Sequence, residues 1–123
     1  MADSGTLATT DQVNDFVGEN ASTAQALEAT TNRAILFAES EIEAQLGDNI
    51  GIVANYASVT AANKQWLATV AAARAAFIVI NKNQNSWQLA TTQSKLAVCD
   101  GIWTGFLSDL KARKADLIAD LGL

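Results

Sequence analysis

The sequence predicts an all-α protein, a small helical bundle of three long helices plus a short N-terminal helix. Apolar residues recur at helical spacing over long stretches, and no stretch alternates strictly between apolar and polar residues as a half-buried strand does. The chain also contains no proline, a residue that loops and turns normally recruit at fixed positions. We therefore expect long continuous helices joined by few loops.

The first half of the chain contains two predicted helices, each followed by a glycine. A short helix begins near Thr10 and stops at Gly18. A second helix begins after Ser22, a favoured N-cap residue, and ends before Gly47. The connection 48–58 combines turn residues with several apolar ones, so we expect it to pack against the domain. The apolar stripe of the second helix consists of Leu27, Ala34, Ile35, Ala38, Ile42 and Leu46.

The second half of the chain contains the two remaining helices. The third is expected from Ala61, with Thr60 as its cap, to about Asn83, and its alanine-rich sequence is apolar nearly all round. A helix of this kind is buried on most sides, so it is either the central helix or one that lies between subunits. The last helix is expected from about Trp87 or Thr92 to Leu121.

Two glycines, Gly101 and Gly105, lie four residues apart inside the last predicted helix. Each costs roughly 1 kcal/mol relative to alanine in a helix interior. They either allow a second helix to approach closely or mark a bend near residue 101.

The chain is expected to form one domain, since 123 residues suit a single core. Residues 1–9 are small and polar, and we predict a flexible N-terminus there, followed by a single helical domain over residues 10–123. No apolar run approaches the roughly 18 residues that span a bilayer. The N-terminus also lacks the basic and apolar regions of a secretory signal. We therefore expect no membrane association.

The residues that usually carry catalysis are missing or scattered. The sequence contains no histidine, the commonest general base and a common metal ligand. Its one cysteine, Cys99, precedes Asp100, and a neighbouring acid disfavours a reactive thiolate. We therefore expect Cys99 to be a small buried side chain. The sequence predicts a protein without enzymatic activity, metal or cofactor.

Charge is distributed unevenly along the chain. The first 48 residues hold nine of the thirteen acidic residues and one base, Arg33, whereas the rest holds four acids and seven bases. The two halves either neutralise each other within one bundle or meet a neighbouring subunit or partner of opposite charge. On the second helix, Glu39 and Glu43 share one face. They indicate an acidic outer face, which is solvated, lines an interaction surface or channel, or forms a weak cation site.

Other charged and aromatic residues suggest contacts. Arg74 is the one charge in the apolar third helix, and a buried arginine needs a partner. That partner is either Glu39 or Glu43 in the same subunit, or a residue of a neighbouring subunit. Trp87 lies at a polar turn and is a candidate interface residue, because tryptophan is enriched at interface hot spots. A basic cluster, either a solvated helix end or a protein contact, consists of Lys111, Arg113 and Lys114.

The order of these features resembles that of a known class of virion protein. An acid-rich helix ends in residues 38–47 (AESEIEAQLG), and a loop and an alanine-rich helix around residues 71–76 follow. A late helix then carries the spaced leucines Leu107, Leu110 and Leu117. In this layout the chain resembles the head–tail adaptor (head completion or connector) proteins of tailed phages and related gene-transfer particles.

The resemblance covers roughly residues 10–121 and implies a structural virion protein at the head–tail junction of a bacteriophage-like particle assembled in the host cytoplasm. Such adaptors are non-enzymatic helical bundles. They form a homo-oligomeric ring, typically of the portal's symmetry, between the portal protein and the tail proteins. The ring extends the DNA channel, through which DNA passes without specific binding. Because an acidic lumen repels phosphates, the resemblance implies that Glu39 and Glu43 face the channel.

The resemblance also implies that terminal segments reach the portal. We expect the C-terminal stretch 117–123 to do so, although the chain ends soon after its last predicted helix and lacks a long extended tail. Residues 1–9 are the rival segment. The candidate intersubunit or portal contacts are Arg74, Trp87, Lys111, Arg113, Lys114, Leu117 and Leu121.

An alternative function belongs to a different class, a monomeric helical-bundle binding module for a small ligand or another protein. Its pocket is expected to be lined by Trp66, Phe77 and Trp103. A ring-forming adaptor is expected to leave apolar surface on the third helix and to assemble on a partner ring. A binding module is expected to be a stable monomer whose melting temperature responds to its ligand.

Overall fold

The chain folds into four α-helices and one short 3-10 helix in the computed structural model, which describes residues 5–17, 24–47, 50–82 and 89–121. The helices are α1 (Thr10–Val17), α2 (Ala24–Leu46), α3 (Ala61–Lys82) and α4 (Leu89–Leu121), and the 3-10 helix spans Tyr56–Ser58. No strand occurs within these ranges. The predicted all-α class, with three long helices and a short first one, is confirmed. Four residues used to predict helix boundaries lie outside the described residues: Gly18, Ser22, Asn83 and Trp87.

The end of α2 and the connection after it follow from local chemistry. Gly47 has a φ of 94°, a left-handed conformation that glycine adopts without steric cost, and its N–H donates to the Glu43 carbonyl at 2.9 Å. Beyond Gly51, the side-chain amide of Asn55 donates to the Ile50 and Gly51 carbonyls, both at 3.1 Å. Ile50 and Ile52 are buried. The prediction that this connection packs against the domain is therefore confirmed.

Helix α3 is the central helix. The other three helices all pack on it, whereas α2 and α4 touch each other little. Alanine permits this arrangement, because its short side chain lets several helices approach one axis closely. The large apolar side chains of α3 are buried or half-buried, and its fully exposed side chains in the described range are Ala61, Ala62, Gln65 and Thr69. Trp66, Phe77 and Ile78 remain half-buried, so some apolar surface is left on this helix. That a partner ring covers it stays a prediction.

The segment 5–9 packs on the domain, which corrects the prediction of a flexible segment over residues 1–9. Leu7 and Ala8 are buried in the core. Gly5 lies so close to α2 that a Cβ at this position would overlap the side chain of Ile35. The small residues that suggested flexibility thus allow the chain to lie flat on α2. Residues 1–4 lie outside the described residues.

Candidate functional site

The carboxylate of Glu39 holds the N-terminal segment on α2. Its Oε2 accepts hydrogen bonds from the backbone N–H groups of Thr6 and Leu7, both at 2.6 Å, and Glu39 is only 4% exposed. Its assignment to an acidic outer face, and to a channel wall, is therefore wrong, because it has almost no surface to present. The helical pattern missed this role because the partners are backbone groups of a distant segment.

Glu43, one turn further along α2, is half-buried and also has a backbone partner. Its Oε1 accepts a hydrogen bond from the N–H of Val53 at 3.1 Å, which ties the connection after α2 to that helix. The same connection approaches Glu39. Burial, and secondarily the negative charge of Glu39, raises the pKa of the Tyr56 hydroxyl. The two glutamates that share a face thus fasten two different segments to α2.

Arg74 joins α2, α3 and α4. Its Nη2 donates to Oε2 of Glu41 at 2.9 Å and its Nε donates to both carboxylate oxygens of Glu41. The predicted partners, Glu39 or Glu43, are therefore wrong. Glu41 lies across the helix from those two residues, on the side from which it reaches Arg74 of α3.

The guanidinium group of Arg74 also lies over aromatic rings. Its Cζ is 4.8 Å from the ring centroid of Trp103 and 5.3 Å from that of Phe77. The Arg74 and Glu41 side chains remain about a quarter exposed. This position at the rim of the core allows a bidentate ion pair without the desolvation of a fully buried one.

The aromatic residues form a packed cluster between α3 and α4. Phe106 is 1% exposed, and its ring centroid lies 5.3 Å from that of Trp66 and 5.1 Å from that of Trp103. Arg74 covers Trp103, and Arg113 covers Trp66 at 5.1 Å. The rings that were predicted to line a pocket with Phe77 therefore pack on Phe106 and on two arginines, which corrects that prediction.

The C-terminal part of α4 is also used inside the chain. Leu117 is 0% exposed and belongs to the core, so its assignment as a portal contact is wrong. Leu121 is half-buried against the same core. Residues 122–123 lie outside the described residues.

The predicted basic cluster is divided among separate environments. Arg113 stacks on Trp66 and its Nη1 lies 3.4 Å from Oδ1 of Asn63. The ammonium group of Lys114 lies close to Gly47, at the C-terminal end of α2, where a positive charge is favoured by the helix dipole. Nothing is described of the Lys111 side chain or of Trp87, so their assignment as contacts stays a prediction.

Asp120 caps α3 from the far end of α4. Its Oδ2 accepts hydrogen bonds from the Asn63 side-chain amide at 2.7 Å, the Thr60 hydroxyl at 3.0 Å and the Thr60 N–H at 3.2 Å. The Asn63 amide chiefly, and then the Thr60 N–H, lowers the pKa of the Asp120 carboxyl. The network joins the start of α3 to the end of α4.

This lowered pKa makes stability depend on pH in a defined direction. A carboxylate whose folded pKa lies below its unfolded value stabilises the fold above the unfolded pKa, and this contribution is lost as the pH falls through the folded pKa. We expect the urea concentration at the unfolding midpoint of the wild type to decrease as the pH is lowered below the ordinary aspartate pKa of 3.8. The midpoint of Asp120→Asn should decrease less over the same pH range. Asp116→Asn, an exposed change on the same helix, is the control. An equal change of urea midpoint with pH in the wild type and in Asp120→Asn would contradict the network.

Cys99 is a buried side chain, as predicted. It is 1% exposed, and burial raises its pKa to about 11. The thiol is therefore protonated near neutral pH, and a protonated thiol is a poor nucleophile. Within the described part of the chain, no three acidic or cysteine side chains lie close enough together to hold a metal ion.

A shallow groove runs beside α1. One part has a volume of about 270 Å³ and is lined by Asp15, Phe16, Ser94, Lys95, Val98 and Cys99. A second part has a volume of about 230 Å³ and is lined by Gln12, Asp15, Phe16, Ala68 and Thr69. Both volumes lie below the range of about 300–1,000 Å³ that is typical of ligand pockets. The sequence analysis did not anticipate this groove, because its residues come from three helices.

Large apolar side chains are exposed on α2 and α4. On α2, Phe37 is 62% exposed and Leu36 is 45% exposed, and on α4 the corresponding values are 58% for Val98 and 42% for Leu107. Phe37 lies on the outer face of α2, a face that consists of Arg33, Phe37, Ser40 and Ala44. The available sequence signal was that Leu36 and Phe37 fall off the apolar stripe of their helix.

The outermost positions of α4 form a second unusual surface, which we call the small-residue face. All its members are exposed: Ala97, Gly101, Thr104, Gly105, Ser108, Ala112, Ala115 and Ala119. A Cβ added at Gly101 or Gly105 would meet no atom within 4 Å. These glycines therefore do not serve a close helix contact inside the described chain.

Comparisons with known proteins do not assign a function. No protein-family model matches the chain, and neither a curated protein nor a solved structure matches it. In the residues that the structure describes, no helix is both long enough and apolar enough to cross a membrane. The functional argument therefore depends on the exposed faces and the contacts described above.

Proposed function

We propose that this chain is a structural virion protein, a head–tail adaptor that forms a ring between the portal and the tail and extends the DNA channel. The observation that carries the proposal is the exposure of Phe37, Leu36 and Leu107 on outward helix faces. Phe37 and Leu36 are neighbours on α2, whereas Leu107 lies on α4. Exposed apolar side chains that adjoin one another mark protein–protein contacts. The resemblance in helix order to phage adaptors supplies the class of partner.

The use of the polar residues supports this proposal. Glu39 fastens the N-terminal segment, Arg74 joins three helices, and Asp120 caps α3. Each of these groups makes hydrogen bonds that hold two elements of the fold together. Cys99 is buried and protonated. Such an arrangement suits a rigid subunit that keeps its conformation when it binds larger partners.

The proposal is tested by a tagged pull-down from the native producing cells. The complexes are sized and the co-purifying proteins are identified. We expect a ring-sized complex that contains portal or tail proteins. Phe37→Asp should lose these partners, whereas Gln45→Asp, an exposed change on the same helix but off this face, should retain them. Recovery of a lone 12.9 kDa chain from cells that are making particles would contradict the proposal.

The groove beside α1 favours a second candidate, a monomeric binding module for a small ligand. The groove offers the Phe16 ring, with Asp15 and Lys95 among its lining residues. This candidate predicts a chain that stays monomeric at every concentration and a melting temperature that rises with ligand. The adaptor instead predicts association in the presence of its portal or tail partners, and no dependence of the melting temperature on a small ligand.

A further inference from the structure

We propose that copies of this chain associate head to tail, with the outer face of α2 of one copy docked on the small-residue face of α4 of the next. The inference rests on the ring proposed above, whose subunit contact it names. The partner that binds each face is a second copy of the same chain, because the two faces are complementary in shape and charge.

The face on α4 is shaped to receive another helix. A solvent-facing helix surface normally carries charged and polar residues, yet the eight outermost positions of this face, over residues 97–119, hold no charge. Gly101 and Gly105 weaken a helix relative to alanine, and no atom in the described chain uses the space beside them. Val98 and Leu107 stand exposed on its two flanks. The face is therefore an uncharged strip of small residues, and its borders carry Val98 and Leu107 together with three exposed aspartates.

The face on α2 has the complementary shape. Phe37 is the most exposed of the large apolar side chains described. Arg33, Ser40 and Ala44 lie on the same face at helical spacing, so the ring projects between smaller neighbours and one arginine. A projecting ring on one helix and a strip of small residues on another pack as a ridge into a groove.

Charge selects this pairing over a contact between two copies of α4. Among the described residues of α2, the exposed charged side chain is Arg33, whereas those of α4 are Asp100, Asp109 and Asp116. Arg33 is about 6 Å along the helix from Phe37. A Phe37 ring seated near Gly101 or Gly105 thus brings Arg33 within reach of Asp100 or Asp109. Pairing two copies of α4 through this face would instead place the exposed aspartates of one copy near those of the other.

The placement of the two faces allows repeated association. Helices α2 and α4 both pack on α3 and touch each other little, so the two faces are separate surfaces of one copy. Contacts between unlike faces produce a closed ring when the rotation closes and an open filament when it does not. Contact between the α2 face and the α4 face is therefore of the kind that joins the subunits of a ring.

Sedimentation of the purified chain over a concentration series tests the inference. We expect the wild type to associate, and we expect Phe37→Asp and Gly101→Glu each to raise the dissociation constant at least about tenfold. Arg33→Asp should weaken association, and its combination with Asp100→Arg or Asp109→Arg should restore it. Gln45→Asp is the matched control, and circular dichroism shows whether each variant remains folded.

A photo-crosslinking residue at position 37 identifies the surface that is touched. We expect cross-links to residues 97–108 of another copy. Cross-links that fall on α2 of the other copy, or a wild type that is monomeric and unlinked at the highest attainable concentration, would overturn the inference. Such a result leaves the pull-down free to decide the adaptor function on its own evidence, because a partner ring can recruit chains that do not bind each other.

Discussion

Phe106→Ala is expected to lower the free energy of unfolding by about 3–5 kcal/mol, the usual range for removal of a buried phenylalanine. Phe106 is 1% exposed and contacts the rings of Trp66 and Trp103. Its loss leaves a cavity between α3 and α4 and removes two aromatic contacts, which are each worth roughly 1 kcal/mol beyond area burial. Urea unfolding followed by tryptophan fluorescence measures the change directly.

The neighbouring leucine provides a matched control for this prediction. Leu107 is 42% exposed and points to solvent beside Phe106, so Leu107→Ala should change stability by less than about 0.5 kcal/mol, as is usual for surface substitutions. Equal losses for the two variants would show that the aromatic cluster does not join α3 to α4 as described.

Glu39→Ala is expected to release the N-terminal segment and to lower the free energy of unfolding by about 3 kcal/mol. The substitution removes two charge-assisted hydrogen bonds and leaves the Thr6 and Leu7 N–H groups without their acceptor. An unpaired buried donor costs roughly 1–3 kcal/mol. Urea unfolding measures the loss of stability, and limited proteolysis should show faster cleavage before residue 10.

Two further substitutions separate the bonds from the charge. Glu39→Gln keeps an acceptor oxygen without the charge and should lose less stability than alanine. Glu43→Ala removes one backbone hydrogen bond, to Val53, and should cost about 1 kcal/mol without exposing the N-terminal segment to protease. An unchanged cleavage rate in Glu39→Ala would contradict the proposed fastening.

The helices could be predicted because their signals are local. Apolar spacing, the glycine at the end of α2 and the threonine before α3 each act within a few residues, so these boundaries agree with α2 and α3 to within a residue or two. Burial of α3 on most sides could also be predicted, since an alanine-rich helix without a polar face must be covered. Whether helices of the same chain or a neighbouring subunit cover it was left open by the sequence.

Partners between elements could not be predicted in the same way. Glu39 and Glu43 do share a face, but the sequence does not say which edge of α2 meets α3. Arg74 in fact pairs with Glu41. Burial of Glu39 depends on a segment that looked polar and free. In both cases the deciding quantity is the relative placement of two segments, which helical spacing does not contain.

The exposed faces were partly visible in the sequence. Gly101 and Gly105 suggested either a close helix approach or a bend. The structure shows an unbroken helix with nothing near the two glycines inside the described chain. Phe37 was not predicted as a surface residue of note because it lies off the apolar stripe, which is the feature that helical spacing reveals. The portal assignment of Leu117 failed because the stripe that suggested it is a buried one.

The central claim is that the outer faces of α2 and α4 are the surfaces through which this chain works. Hydroxyl-radical footprinting of the isolated chain and of complexes recovered from producing cells tests it most directly. We expect Phe37 and Leu107, both exposed in the single chain, to react readily when the chain is isolated and to be protected in the complex, with buried Phe106 unreactive in both. Full reactivity of Phe37 and Leu107 in the complex, or protection confined to Phe16 in the groove beside α1, would contradict the account.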